Sequence, residues 1–300
     1  MIRSLDEMVE QVLLLKRLHR VAIAWAHDGN TASAITRAAI AGMVVPVMIG
    51  NPVIIKKTFA SSGFNEQDLN IIEADDEVAA SEKAVSMAAN GEVDIVMKGL
   101  AGTDKFLRAV MNRDHGIMNH GAVLTYICAM ELPAYHKLLF ITDPAVIPFP
   151  DLDQKLAMVR YALQMTERFG IVKPKIALIG PAEKVSRHFP SSADYAVMCK
   201  MADRNQLGNC IMDGPLDIFL ACDRNSVAVK KVPTPVNGEA DILLFPSLEA
   251  CNPFYKGLTL FARGEIAGIL QGTIKPVVMM SRSESEKSKF YCLALACLMA

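Results

Sequence analysis

The chain has 300 residues, a formal net charge of −1 and a hydrophobic content of 52%. This length allows two domains or one large α/β domain, and the hydrophobic content supplies ample material for a core. The small net charge, without any block of like charge, argues against a nucleic-acid partner and against an anionic membrane surface.

The cysteines and the N-terminus bear on the compartment. The seven cysteines, at positions 128, 199, 210, 222, 251, 292 and 297, form no CxxC pair and no Cys/His metal-ligand spacing. Such a pattern indicates free thiols in a reducing cytoplasm rather than a disulfide framework. Residues 1–7 lack the apolar core of a signal peptide, and the longest apolar stretch, 38–50, is too short to span a bilayer. We therefore expect a soluble cytoplasmic protein with no membrane partner.

Apolar periodicity in the first part of the chain predicts alternating helices and strands. The predicted helices are residues 5–18, 31–41 and 77–89, and the predicted strands are residues 21–26, 46–50, 71–74 and 94–99. This alternation indicates a parallel sheet flanked by helices. The segment 99–111 follows the carboxyl end of the fourth strand, the edge at which open α/β sheets bind ligands. Lys98 and Arg108 are therefore candidate phosphate contacts, with unpaired surface charge as the alternative.

The second half repeats the alternation after a turn-rich break. Two strands are expected over 121–130 and 137–141, and the run 148–151 then divides the chain near its middle. Beyond it, helices are predicted over 152–169, 191–203 and 217–224, and a further helix ends at 261. Ser191 or Ser192 is the expected cap of the helix over 191–203. Strands are predicted over 175–180, 209–215 and 241–246, and an edge or loop over 227–237. Two α/β lobes fit this pattern better than one sheet.

The last stretch combines a strand, a polar turn and a helix. Residues 276–280 have the composition of a buried strand, and an apolar helical face follows from Phe290. Ser283 with Glu286 fits a capping box, which would start the helix there. Free backbone N–H groups, the helix dipole and Arg282 would then converge on one point, which makes a ready anion site. The alternative is an ordinary capped helix with a solvated arginine.

Together these stretches resemble the phosphate acetyl/butyryltransferase family, closer to its phosphate butyryltransferase branch, over nearly the full length. The segments that carry the resemblance are Lys98–Gly99, Thr103, 107–110, 140–143, 213–216, 240–246, 248–250, Asn252, 255–256 and Ser281–Arg282.

The resemblance implies a two-domain, three-layer αβα fold with mostly parallel sheets, like that of isocitrate and isopropylmalate dehydrogenases. Residues 1–130 with 271–300 would form one domain and 131–270 the other, with the active site in the cleft between them. It further implies a homodimer or larger assembly without metal or prosthetic group. The reaction would be acyl-CoA + phosphate ⇌ acyl phosphate + CoA, with coenzyme A as co-substrate and a butyryl or acetyl group transferred by direct attack in a ternary complex.

The resemblance also suggests roles for site residues. A thiol with a pKa near ~8.5 is mostly protonated at neutral pH, so attack by coenzyme A gains from a base. Fixed donors would stabilise the charge on the carbonyl oxygen and on phosphate. We expect Ser281 and Arg282 to be the first of these donors and Arg108 to be a bidentate phosphate ligand. The remaining candidates for phosphate or coenzyme A binding are Lys98, Thr103, His120, Asn252 and Lys256.

Four positions depart from the family pattern. The acetyl branch has an aspartate that assists the thiol, where this chain has Ser288; Glu284 or Glu286 could substitute, although a carboxylate at a helix N-terminus is a weaker base. A cysteine near the active site of that branch falls at about Pro144. Cys251 replaces a glycine, and the Ser-His pair of the butyryl branch becomes Asn119-His120. His120 would contact substrate or be a buried, satisfied histidine.

Two other functions remain open from the sequence. An NAD-dependent hydroxy-acid dehydrogenase would share the two-lobed fold, but the chain shows no cluster of aspartates suited to a divalent metal. A non-catalytic sensor of acyl-CoA or acyl phosphate would have kept the fold and lost the base. Nicotinamide dependence would identify the first, and absence of turnover with intact binding would identify the second.

Overall fold

The computed structural model describes residues 1–282 and 284–300. The strands are β1 His19–Ala24, β2 Val44–Gly50, β3 Ile71–Glu73, β4 Ile95–Lys98, β5 Thr125–Glu131, β6 Leu139–Thr142, β7 Lys175–Ile179, β8 Ile211–Leu216, β9 Ile242–Leu244, β10 Glu265–Gln271 and β11 Val277–Val278. The helices are α1 Leu5–Leu14, α2 Gly29–Ile40, α3 Pro52–Ala60, α4 Glu77–Ala89, α5 Thr103–Val110, α6 Leu152–Arg168, α7 Ser191–Asp203, α8 Ile218–Cys222, α9 Arg224–Lys230, α10 Leu248–Phe261 and α11 Glu286–Met299, with a short 3₁₀ helix at Glu66–Asp68.

The chain forms two compact units. The terminal unit contains Leu5–Ala122 and Ala267–Ala300, and the central unit contains Met1–Ser4 and Val123–Ile266. The domains predicted from the sequence, 1–130 with 271–300 and 131–270, have boundaries a few residues later and include the first residues in the terminal domain. Met1–Ser4 instead belong to the central unit, where the backbone N–H of Ile2 donates to the carbonyl of Phe169 at 2.8 Å.

The strands of the terminal unit lie in the order β3-β2-β1-β4-β11-β10. All neighbours in this order are parallel except β10 and β11. The central unit has the order β5-β6-β9-β7-β8, in which only the β5–β6 pair is antiparallel. The expected α/β class with mostly parallel strands is therefore confirmed.

The core of the terminal unit follows from its apolar strands and from one fully buried helix. Val21 to Ala24 of β1 are each 0% exposed. In α11 the ten consecutive residues from Ser288 to Cys297 are buried, and this helix contacts α1, α2 and β11. A helix that is apolar all round is a core helix. The sequence predicts only one apolar face for this helix, so it understates the burial.

Several local expectations differ from the structure. The last helix begins at Glu286 with Ser285 as its N-cap, while the predicted cap at Ser283 lies outside the described residues. Residues 227–230, expected as an edge or loop, belong to α9, and α3 was not predicted.

The cap predicted for α7 is also wrong. Pro190 occupies the N-cap position and makes no side-chain cap. The Ser192 hydroxyl instead accepts from the N–H of Ser186 at 2.9 Å and donates to its carbonyl at 3.0 Å. The hydroxyl thus bonds to the preceding loop, which periodicity could not reveal.

Gly99 provides a test of how closely β4 approaches β1. A Cβ on Gly99 would lie 2.5 Å from the carbonyl oxygen of Trp25 and 2.8 Å from that of Ala24. Because backbone must move, we expect Gly99→Ala to lower the free energy of unfolding by about 1–3 kcal/mol. Gly29→Ala is the control, since nothing lies within 4 Å of its Cβ, and it should change stability by less than about 0.5 kcal/mol. Equal denaturant midpoints would contradict the close approach.

Candidate active site

Two candidate segments lie at one edge of the terminal sheet. Strands β4 and β11 are parallel neighbours, with Val277 opposite Val96 and Val278 opposite Met97. Lys98 is the last residue of β4, and Ser281 and Arg282 follow β11 by a few residues. The carboxyl ends of adjacent parallel strands meet at the same edge, so the structure brings these candidates to one place.

Lys98 is buried at this edge. The residue is 3% exposed, and its ammonium donates to the carbonyl oxygens of Gly99 at 3.1 Å and Ala101 at 3.0 Å. Burial, reinforced by the positive charges of Lys289 and Arg282, lowers the pKa of Lys98 to about 8. A lysine in this state is partly neutral near physiological pH.

A second buried lysine, which sequence reasoning missed, adjoins the same edge. Lys289 is 3% exposed on α11, and its ammonium donates to Asp28 Oδ1 at 2.8 Å and Thr31 Oγ1 at 3.0 Å. Asp28 is also the N-cap of α2, accepting from the N–H of Thr31 at 2.9 Å. Burial would raise the pKa of Asp28, but hydrogen bonds from Lys289 and Thr31 outweigh it and hold the pKa below its usual value.

The sequence contains only a weak indication of the pair formed by Asp28 and Lys289. Asp28 follows the first strand directly, at the sheet edge where ligands bind, and it precedes a helix. Lys289 is the last charge before the apolar part of α11, and a buried charge is usually paired. Nothing in the sequence says that residues 261 positions apart are partners.

Glu77 joins the start of α4 to the start of α5. Its carboxylate accepts from Lys105 at 2.5 Å and from the N–H of Gly102 at 2.5 Å. These bonds lower the pKa of Glu77, and Arg282 adds a smaller effect in the same direction. The loop from Gly99 to Gly102 is thus held at both ends, by the Lys98 ammonium and by the Glu77 carboxylate.

Two candidate residues lie in the turn between β11 and α11. Ser281 and Arg282 are exposed, and the carbonyl of Ser281 accepts from the N–H of Glu284 at 3.2 Å. The carbonyl of Glu284 in turn accepts from the Asn30 side chain at 3.3 Å, which ties the turn to the start of α2. Glu286 approaches Arg37 at 3.8 Å.

Ser288, at the position of the acetyl-branch aspartate, is buried one turn into α11. It is 3% exposed, and its N–H donates to the hydroxyl of Ser285 at 3.0 Å. This residue belongs to the capped first turn of the helix.

Thr103, Arg108 and His120 lie on the same unit. Thr103 begins α5 and Arg108 is in its last turn, and both are exposed. His120 is exposed as well, so the alternative of a buried, satisfied histidine is wrong. Exposure leaves all three side chains accessible to a ligand.

Asn252 and Lys256 lie on α10 of the central unit. The Asn252 amide donates to the carbonyl of Pro144 at 2.7 Å, which fixes the loop after β6, and Lys256 is exposed. The neighbouring Cys251 is fully buried, and burial raises its pKa well above the usual value. This thiol therefore packs as a small apolar group.

Asp143 organises the same loop. It is 2% exposed and accepts from the Thr125 hydroxyl at 2.7 Å and from four backbone N–H groups, those of Tyr126, Ala145, Val146 and Ile147. Burial raises the pKa of Asp143 even though these donors favour its charged form. The side chain serves as the anchor of a buried turn.

Residues 1–282 and 284–300 contain neither a metal-ligand cluster nor a membrane-spanning helix. No group of three or more His, Cys, Asp or Glu side chains is placed to hold a metal ion. No helix there has the length and apolar character needed to cross a membrane.

The role of Asp143 can be tested with an isosteric change. In Asp143→Asn one acceptor oxygen becomes a donor that faces other donors, so we expect a loss of roughly 2–4 kcal/mol in the free energy of unfolding. Urea unfolding measures it. Asp153→Asn, an exposed acid on α6, is the control and should change stability by less than about 0.5 kcal/mol. A variant at 143 as stable as wild type would show that the carboxylate charge is not needed.

Comparisons with known proteins identify the family of the chain. The model of the family described as phosphate acetyl/butaryl transferase matches residues 76–297. The phosphate butyryltransferase of Clostridium acetobutylicum is 34% identical over 300 residues, covering 100% of this chain and 99% of that protein. The phosphate acetyltransferase of Thermotoga maritima is 31% identical over 281 residues, covering 94% and 95% of the two chains.

Solved structures show the same fold. A branched-chain phosphotransacylase from Enterococcus faecalis has a TM-score of 0.81 at 29% identity, covering 93% of this chain and 99% of that one. A 4-hydroxythreonine-4-phosphate dehydrogenase from Klebsiella pneumoniae, at a TM-score of 0.53 and 11% identity over 93% and 98% of the two chains, shares the fold alone. The chain belongs to the phosphate acetyl/butaryl transferase family and is a phosphate acyltransferase.

Proposed function

We propose that the protein catalyses acyl-CoA + phosphate ⇌ acyl phosphate + CoA with a short acyl group, butyryl or acetyl, by direct attack in a ternary complex. The observation that carries the proposal is the positive edge of the terminal sheet. Lys98 lies there within electrostatic reach of both Lys289 and Arg282. A group of cations at the carboxyl ends of parallel strands suits substrates that carry phosphate.

The physical demands of the reaction match such an edge. Both directions pass through a tetrahedral carbonyl with a developing negative oxygen, beside a phosphate that is charged throughout. Donors held in place before the reaction stabilise this charge without reorganisation. Holding both substrates together can supply up to about 7–11 kcal/mol of the barrier.

Within this proposal the exposed turn supplies the main donors. Ser281 and Arg282 would bind the reacting carbonyl and phosphate, since they are solvent-accessible and lie next to the N-terminus of α11. Glu284 and Glu286 flank the same helix start, and we propose that they orient the turn. Arg108, Thr103, His120, Asn252 and Lys256 are proposed contacts for phosphate or for coenzyme A. A homodimer in the cytoplasm belongs to the same proposal.

The comparisons bear differently on the dehydrogenase and on the non-catalytic sensor. Family membership favours acyl transfer over the dehydrogenase, whose likeness to this chain extends to the fold alone. A sensor without turnover would have the same family membership, so an assay must distinguish it from the enzyme.

The direct test is release of coenzyme A from acetyl-CoA and butyryl-CoA with and without phosphate, followed with a thiol reagent. We expect phosphate-dependent release, with the ratio of the two rates giving the acyl preference. Binding of coenzyme A without release would establish the sensor, and a requirement for nicotinamide would establish the dehydrogenase.

The role of Arg282 gives a second prediction. Because its side chain is exposed in a turn, Arg282→Ala should lower kcat by about 10²–10³-fold, as for the loss of one transition-state donor, while the denaturant midpoint stays near wild type. Arg204→Ala removes another exposed arginine, at the end of α7, and should leave kcat unchanged. Full activity in the Arg282 variant would remove this residue from the site.

A further inference from the structure

We propose that the amine of Lys98 takes the proton from the coenzyme A thiol during acyl transfer and returns it to sulfur in the reverse direction. The inference rests on the proposed function and replaces the phosphate contact expected for Lys98 from the sequence. Position carries it first: Lys98 ends the strand next to the one that leads into Ser281 and Arg282.

The hydrogen bonds of Lys98 suit a group that changes its protonation state. Its nitrogen donates to two carbonyl oxygens, those of Gly99 and Ala101. A neutral amine has two N–H groups and one lone pair, so it keeps both bonds and has an acceptor site left. The ammonium form keeps the same two bonds and places its third proton at that site. Proton transfer therefore requires no rearrangement of the loop.

The surrounding charges tune Lys98 for this task. Burial is the largest effect that lowers the pKa of Lys98, and the positive charges of Lys289 on α11 and Arg282 in the preceding turn lower it further. The negative charges of Asp28 at the start of α2 and Glu77 on α4 raise it. The resulting pKa of about 8 lies close to the ~8.5 of a free thiol. Transfer between groups of matched pKa is efficient in both directions, directly or through one water.

The carboxylates nearby are less suited to accept a proton. Asp28 is held charged by Lys289 and Thr31, which keep its pKa below the usual value. Glu77 is held in the same way by Lys105 and Gly102. Glu286 lies 3.8 Å from Arg37. Lys98, by contrast, has a pKa that burial brings into the range of a thiol.

The step balances in both directions. With acyl phosphate and coenzyme A, the S–H bond breaks and the proton moves to the lysine nitrogen. Sulfur then bonds to the carbonyl carbon, and the C–O bond to phosphate breaks with its electron pair on oxygen. The departing phosphate takes the proton from the ammonium group, which restores the neutral amine. In the other direction the neutral amine takes the proton of the attacking phosphate and, as the ammonium, passes it to the leaving sulfur.

This proton route predicts the same Lys98 dependence in both directions, because each direction starts from the neutral amine. We expect kcat/KM to show an alkaline limb, a rise through pH 8 where Lys98 becomes neutral. With coenzyme A as nucleophile the neutral amine takes the thiol proton, and with acyl-CoA and phosphate it takes the proton of the attacking phosphate. The profile with acyl-CoA and phosphate is the decisive one, because acyl-CoA carries no free thiol whose ionisation could produce the limb.

Two variants separate proton transfer from a structural role. Asp28→Asn keeps a capping oxygen but removes a negative charge facing Lys98, so it should move the alkaline limb to lower pH. A residue that only fixes the loop would leave the limb in place. Lys98→Arg keeps the positive charge and the donors but does not lose its proton, so kcat should fall about 10²–10⁴-fold and the limb should vanish. Lys105→Arg, in the neighbouring pair with Glu77, is the matched control, with rate and limb unchanged.

Each outcome decides. A limb near pH 8 that shifts in Asp28→Asn supports the inference even if Lys98→Arg does not fold. An alkaline limb that stays fixed in Asp28→Asn, or a Lys98→Arg enzyme with wild-type kcat, overturns the inference while phosphate-dependent release still upholds the transferase. No phosphate-dependent release by the wild-type protein overturns the proposed function and this inference together.

Discussion

The structure of the terminal unit depends on how the charges of two buried lysines are compensated. Lys98 and Lys289 are each 3% exposed, and within this group Asp28 alone makes a direct ion pair, with Lys289. Burying an ammonium group costs several kcal/mol unless partners compensate. Lys289 is compensated by a carboxylate and a hydroxyl, whereas Lys98 has two carbonyl dipoles. Two carbonyl dipoles compensate a buried ammonium less than a carboxylate does, so the proton affinity of Lys98 falls.

The same constraint organises the surrounding backbone. Asp28 caps α2 and pairs with α11, so one carboxylate sets the start of one helix and the position of another. The carbonyls that accept from Lys98 belong to the loop between β4 and α5, and Glu77 fixes the far end of that loop. The exposed turn with Ser281 and Arg282 is tied to α2 through Asn30. The sheet edge proposed as the active site is thus built from charged side chains that also hold the surrounding backbone in place.

In the central unit a buried carboxylate is compensated by neutral donors rather than by a cation. The Asp143 carboxylate accepts from one hydroxyl and four backbone N–H groups, so the loop after β6 forms around it. Asn252 adds a bond from α10 to the same loop at Pro144. Cys251, next to it, is completely buried, and its side chain fills space in the core. Here polar side chains hold the loop after β6 by bonding to its backbone groups.

The sequence by itself determined the α/β class, most of the elements and the strands whose ends carry the candidate residues. These features depend on local periodicity, caps and turn residues, so a reading of the chain recovers α4 at its true bounds. Local pattern also places Lys98 and the Ser281–Arg282 pair at strand ends. The sheet topology brings these residues together, because β4 and β11 become neighbours only in the folded sheet.

Tertiary structure alone decided the partners of charged groups and the depth of burial. Asp28 and Lys289 are 261 positions apart, and no local pattern links them. His120 was open to either a buried or an exposed reading and proved exposed, because the burial of a single histidine depends on what packs over it. The sequence places the start of the last helix at Ser283, whereas Ser285 is the N-cap of α11. Charge, burial and long-range pairing are properties of the fold, and the chemistry proposed for Lys98 depends on all three.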